Sequence, residues 1–323
     1  MSPMKISSRI SLLLLAFLLA ALSISCTDKT KEHMENGDTF MARGQWQDAV
    51  AEYGRAIEKS PKIAETYYKR GIAYRSSGNY DLAVADLNRV IEISPDSARA
   101  YAARALTYSL MNKLDLALKD MDRALNIDSL LARDIEPDMA KAYYYIGVAY
   151  RHQGRNLNAV AFLSKVITLQ PQLAEAYIER SRVYSFNGWT DLVIADLTKA
   201  INANPGSAIA YNLRGSAYLT KNEFRLALVD LNKAIQLDAS LSGAYYNRGW
   251  AYYNTKNYEA AANDLNIAIM LDPAAALSYY YRGLLYATTG KKELAIADFR
   301  KAMALATDST LIEKAEQGLA ELR

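Results

Sequence analysis

The stretch SGAYYNRGWAYYNTKNYEAAANDLNIAIMLDP, residues 242–273, decides how the rest of the chain is read. Tyr245, Gly249 and Tyr252 fall at i, i+4 and i+7, one face of a helix, and Ala261 and Leu265 mark a second helix beyond a turn. Pro273 follows where that helix must stop, because proline donates no backbone hydrogen bond and clashes with the preceding turn.

Working outward, the same arrangement returns along most of the chain. A small residue recurs as Gly37, Gly71, Ala105, Gly147, Ser181, Gly215, Gly249 and Gly283, always 34 residues apart except for a step of 42 between Ala105 and Gly147. An aromatic ring stands three residues after each, from Phe40 and Tyr74 to Tyr286. Further on come Ala49, Ala83, Ala117, Ala159, Val193, Ala227, Ala261 and Ala295, each followed four residues later by a large apolar side chain. Pro61, Pro95, Pro171, Pro205 and Pro273 close five of the units. The small residue on the first helix and the alanine on the second let two backbones approach, and the large residues one turn away fill the space between them.

This pattern resembles the tetratricopeptide repeat (TPR), a helix-turn-helix unit of 34 residues, from about Thr30 to Thr307. The resemblance implies an all-α fold: a right-handed solenoid of eight repeats whose first helices line a concave face. Turns such as Ser76–Ala83 place Gly and Asn where a positive φ is cheap. The 42-residue step implies an insertion near 132–139, lengthening the third repeat's second helix or forming a loop. Residues 308–323 read as a capping helix, with Thr310 and Glu313 as a capping box and Leu311, Ala315, Leu319 and Leu322 as its apolar stripe.

Each first helix also carries a second stripe, one residue further round, that does not repeat. It reads Tyr68, Ile72, Arg75; Tyr144, Val148, Arg151; Ile178, Arg182, Ser185; Tyr246, Trp250, Tyr253; and Tyr280, Leu284, Ala287. In the family these positions face the groove, which makes Tyr246, Trp250 and Tyr253 the leading candidates for an apolar anchor site, with Tyr68, Tyr144 and Tyr280 as further candidates for binding a partner in the groove. Arg75, Arg151 and Arg182, with Lys69 and Lys141 nearby, suit an acidic segment; pairing with internal acids is the competing reading. Lys31, Met34, Asp38, Tyr68 and Ile72 depart from the set with which some TPR domains clamp a terminal carboxylate.

At the other extreme, Lys5 and Arg9 precede an apolar run, Ile10–Leu22, and the only cysteine, Cys26, follows in SISC. This resembles a bacterial lipoprotein signal ending at residue 25, with Cys26 as the lipidated residue, although Ser23 stands where leucine is usual. An uncleaved anchor, or an ordinary signal peptide with an incidental cysteine, fits the same residues. Removing 1–25 takes two of the 38 basic residues and leaves the rest one ahead of the 35 acidic ones. Such a balance argues against nucleic acid as the partner. His33 and His152 are far apart, no second cysteine exists, and no phosphate loop or dinucleotide fingerprint occurs, so neither catalysis nor a metal or cofactor is expected. The expectation is a lipid-anchored scaffold of the bacterial cell envelope, facing the periplasm or the exterior, that binds an envelope protein or peptide in its groove. The alternative is an accessory lipoprotein of a transport system, holding a small hydrophobic ligand in a gap among Tyr246, Trp250 and Tyr280.

Overall fold

The structure, a computed structural model, describes residues 29–127 and 132–322. The signal segment and Cys26 lie outside these residues. Seventeen α-helices and no strand occur among the described residues, and the chain divides into two compact blocks, Met1–Gln153 and Gly154–Arg323. The first block holds α1 (29–42), α2 (Trp46–Lys59), α3 (Ala64–Ser76), α4 (Tyr80–Ile93), α5 (Ala98–Leu110), α6 (Leu114–Ile127) and α7 (Ala132–His152). The second holds α8 (Asn156–Leu169), α9 (Ala174–Phe186), α10 (Thr190–Ala203), α11 (Ala208–Thr220), α12 (Phe224–Leu237) and α13 (Ser242–Asn254). It continues through α14 (Tyr258–Leu271), α15 (Ala276–Thr288), α16 (Lys292–Leu305) and α17 (Ser309–Glu321). Within each block, odd-numbered first helices pair with the even-numbered helices that follow and pack beside the next pair.

The local chemistry of each pair follows the repeat. A β-carbon on Gly249 would stand 2.9 Å from Leu265 Cγ, and one on Gly283 2.8 Å from Phe299 Cδ1, so the large residue of the second helix seats directly on the glycine. Ala49, Ala83, Ala117, Ala159, Ala227, Ala261 and Ala295 are fully buried. Helices α4, α8, α10 and α14 each end two residues before their proline. The turn between paired helices takes a positive φ at Gly44, Gly78, Asn112, Gly154, Gly188, Asn222, Lys256 and Gly290. Lys256, at φ 60°, holds this conformation against the usual cost of a β-carbon there, about 1–2 kcal/mol.

A second set of contacts repeats just as regularly. Arg70, Arg104, Arg180, Arg214, Arg248 and Arg282, each the residue before the small one, reach across to Asp86, Asp120, Asp196, Asp230, Asp264 and Asp298. Every pair is bidentate, Nε and Nη2 donating to the two carboxylate oxygens at 2.7–2.9 Å. The aspartates are buried. In five repeats the remaining Nη1 donates to a polar residue 16 positions earlier: Asn88, Ser164, Thr198, Asn232 or Asn266. The aromatic packing stripe flanks the guanidinium, as Tyr245 and Tyr252 do at 5.6 and 5.8 Å from Arg248. Repeat four writes Ile146 and Phe162 at the two charged positions, so both charges drop out together. In repeat one Glu52 occupies the acidic place and binds His33 Nδ1 at 2.7 Å and Arg55.

Two features differ from the sequence reading. The eight extra residues lie within α7, which runs to 21 residues; they lengthen the first helix of repeat four, and neither extend α6 nor form a loop. Pro137 sits in the second turn of α7 and forfeits a single intrahelical bond there. Helix α7 packs against α5, whose Ala102, Ala103, Leu106 and Ser109 are buried. At the other end, α17 is capped by Asp308, whose carboxylate accepts from Thr310 N at 3.0 Å; Thr310 is inside the helix, so the box with Glu313 does not form. The expected stripe does pack: Leu311 and Ala315 are buried, and Leu319 and Leu322 lie against Phe299 and its neighbours.

The arginine–aspartate pair makes a direct prediction. Asp264→Ala strands a half-buried guanidinium and lowers stability by about 3–5 kcal/mol. Arg248→Ile together with Asp264→Phe, the residue types of repeat four, costs less than the single change. Denaturant unfolding followed by circular dichroism measures both, and a double variant no more stable than the single one would count against an unpaired charge as the cause.

Candidate functional site

The first helices of the C-terminal block carry a cluster of rings built from two neighbouring repeats. On α13, Trp250 stacks on Tyr253 with centroids 5.0 Å apart and planes within 12°. From α15, Tyr281 stacks on the same indole at 4.7 Å and 17°, and lies 6.2 Å from Tyr246 and 5.6 Å from Tyr280. Tyr280 in turn meets Phe299 at 5.9 Å, and the Tyr253 hydroxyl hydrogen-bonds Thr288 Oγ1 at 2.8 Å. Tyr246, Trp250, Tyr253 and Tyr280 are all half-buried, so each offers part of its surface to solvent.

This arrangement revises the expected division between a packing stripe and a free one. Tyr245 and Tyr252 do pack within their repeat, around Arg248, but Trp250 and Tyr246 pack as well, against the next first helix. The gap expected among Tyr246, Trp250 and Tyr280 is taken by Tyr281, a residue the two stripes passed over. Its place in the repeat had a polar signature. Lys69 reaches back 31 residues to Asp38, Asn247 reaches back 35 to Asn212 at 3.0 Å, and Tyr281 spans those same two intervals to Trp250 and Tyr246.

Two repeats earlier, α9 and α11 leave a hollow of about 410 Å³ on the block's surface. Arg182, Ser185 and Phe186 of α9 and Leu213, Ser216 and Thr220 of α11 line it. Phe186 is 82% exposed and was not singled out in the sequence, because it lies one residue beyond the second stripe. The Arg182 side chain is 39% exposed, and Nε stands 3.3 Å from Glu179 on its own helix.

In the N-terminal block two of the cations named from sequence, Arg75 and Lys69, already have internal acids. Arg75 is held by both oxygens of Asp138 at 3.2 Å, at the start of α7, and reaches the Ala103 carbonyl at 3.4 Å. Lys69 pairs with Asp38 at 2.5 Å. The Arg99 guanidinium carbon lies over the Tyr68 ring, 3.8 Å from the ring centroid, and Arg99 binds Glu65. Burial, with Asp138 close by, pushes the Tyr68 phenol up to about 12. Tyr144 meets Tyr145 edge-on at 5.6 Å, and Arg151 Nη2 is 3.1 Å from His152 Nε2. Pairing, more than availability, describes Lys69 and Arg75.

Burial and the nearby Tyr246 and Tyr280 phenols also push Tyr281 up to about 12. An unfolded tyrosine ionises near pH 10, so the folded state holds this proton more tightly. The stability involved is complete below pH 10 and is lost as pH rises from about 10 to about 12. Tyr281→Phe is expected to flatten that stretch of the stability curve, measured by denaturant unfolding at pH 9–11.5. Equal slopes in wild type and variant would refute the assignment.

Comparison with known proteins agrees with this architecture. Tetratricopeptide repeat models match residues 34–98, 103–174 and 246–310, and a second model of the same description matches 174–207 and 208–241. No curated protein matches the chain. Among solved structures, it is similar to the MamA protein at 27% identity over 52% of this chain and 92% of that one, with a TM-score of 0.45. It is similar to YrrB, described as a TPR protein with an unusual peptide-binding site, at 23% identity over 61% and 97%, TM-score 0.52. The APC/C hetero-tetramer Cut9–Hcn1 aligns at 18% identity over 88% of this chain and 54% of that one, TM-score 0.53. With the repeat models covering well over half of its length, the chain belongs to the tetratricopeptide repeat family.

Proposed function

We propose that this protein is a scaffold whose first-helix face in the C-terminal block holds a segment of another protein, and that a lipid on Cys26 keeps it at a membrane of the bacterial cell envelope, facing the periplasm or the exterior. The observation that carries the binding reading is the half-exposed ring cluster around Trp250, set on the same face as the hollow beside Phe186. Tyrosine and tryptophan present broad, rigid area with a polar edge, the composition of interface anchors. Tyr281 fills the space in which a small hydrophobic ligand was expected, and this favours a protein segment laid over the rings above an enclosed solute. The anchoring reading is supported by Lys5, Arg9, the apolar run Ile10–Leu22 and the position of Cys26. Among the described residues no helix is long and apolar enough to cross a membrane.

Each half has its own experiment. Crosslinking pull-downs from envelope fractions with wild type, Trp250→Ala and Tyr246→Ala are expected to lose at least one partner in the variants, a truncated anchor costing 2 kcal/mol or more, on the order of 30-fold in affinity. Unchanged recovery of every partner would remove the ring cluster from the binding face. For the anchor, cells fed an alkyne fatty acid are expected to label wild type and not Cys26→Ser. Label retained on the serine variant would sink lipidation at that residue.

A further inference from the structure

We infer that the hollow between α9 and α11 receives an acidic side chain of the partner segment, its carboxylate on Arg182 and an apolar neighbour against Phe186. This rests on the reading of the C-terminal block's first-helix face as protein-binding, and it names the chemistry of the occupant. Arg182 differs from the six arginines of the regular ladder. Each of those is forked onto a buried aspartate, whereas Arg182 has one contact, from Nε to Glu179 at 3.3 Å, and among the described residues its two Nη groups make no hydrogen bond. Glu179 does not line the hollow, and none of the residues that do is acidic. The guanidinium is thus the only charge on the walls, beside the hydroxyls of Ser185 and Ser216, a lining complementary to an anion that can take two parallel N–H donors.

The protein supplies its own precedent. On the first-helix face of the N-terminal block, Arg75 receives the carboxylate of Asp138 from another helix in forked geometry. Arg182 sits on the equivalent stripe of α9 with no such helix supplying an acid among the described residues of its block. At about 410 Å³ the hollow is of ligand-site size and accommodates more than a carboxylate, and Phe186, 82% exposed at its rim, offers a ring to whatever accompanies the anion.

The test uses the full chain and three fluorescein-labelled, C-terminally amidated nonapeptides that differ only in carrying Asp, Asn or Lys at three positions, each beside a leucine. Fluorescence anisotropy is expected to show the Asp peptide binding roughly 10-fold or more tightly than the Asn peptide, with the Lys peptide weakest. Arg182→Gln should abolish that preference, Arg182→Lys should restore part of it, and Phe186→Ala should weaken the Asp and Asn peptides alike; circular dichroism verifies that each variant is folded. Equal affinity for the Asp and Asn peptides, a preference that survives Arg182→Gln, or no binding of the Asp peptide at millimolar concentration would each overturn the inference. Partners lost on Trp250→Ala while wild type shows no preference for Asp would leave the protein-binding reading standing and remove this one.

Discussion

A forked ion pair repeated at a fixed interval organises this molecule. In six repeats a guanidinium extends from the first helix to a buried aspartate on the second, with a tyrosine on either side and, in five, a polar acceptor at its third nitrogen. Such a pair has little net energy to give, because desolvating two charges consumes most of their attraction. What it does supply is register: two helices slid by one residue would leave both charges buried and unmatched. Repeat four keeps the period while carrying Ile146 and Phe162 instead, which is the other self-consistent solution, since neither charge survives without its partner.

With the helices of a repeat held that way, the contact between successive first helices is left free in chemistry. At one and the same place in the repeat this chain uses Lys69 with Asp38, Asn247 with Asn212, and Tyr281 with Trp250. Any complementary pair serves there, so the face can vary from repeat to repeat without disturbing the stack. The rings of α13 and α15 and the hollow beside α9 are two results of that latitude, one filled with aromatic area and one left open with a single cation on its wall.

Most of the fold was legible because its signals are one-body signals. Gly249 opposite Leu265, alanines at zero exposure and a proline two residues after a helix can each be seen in the period of residue type alone. The ion-pair ladder was equally periodic, at 16-residue separation, but it was passed over because charged residues read as solvated surface unless their partner is recognised. The site was less legible for a two-body reason. Whether Arg75 is available depends on Asp138, 63 residues away at the start of a helix whose length the spacing did not specify. Whether Trp250 faces a gap depends on Tyr281, and Phe186 stands one residue beyond the stripe that faces the groove. The capping of α17 by Asp308 instead of Thr310 is a shift of two residues, and an acid was present on each side of the boundary.

The turns within each pair have a practical consequence. At Gly78 and Gly290 the backbone curls left-handed at the tip, and beyond the adjoining residues no atom approaches within 4 Å of where a side chain would begin. A side chain could begin at either tip without meeting the rest of its repeat. A fluorescent reporter or an epitope could therefore be spliced into such a tip, or the polymer reopened there with fresh ends, while both rods of the repeat keep their full set of neighbours.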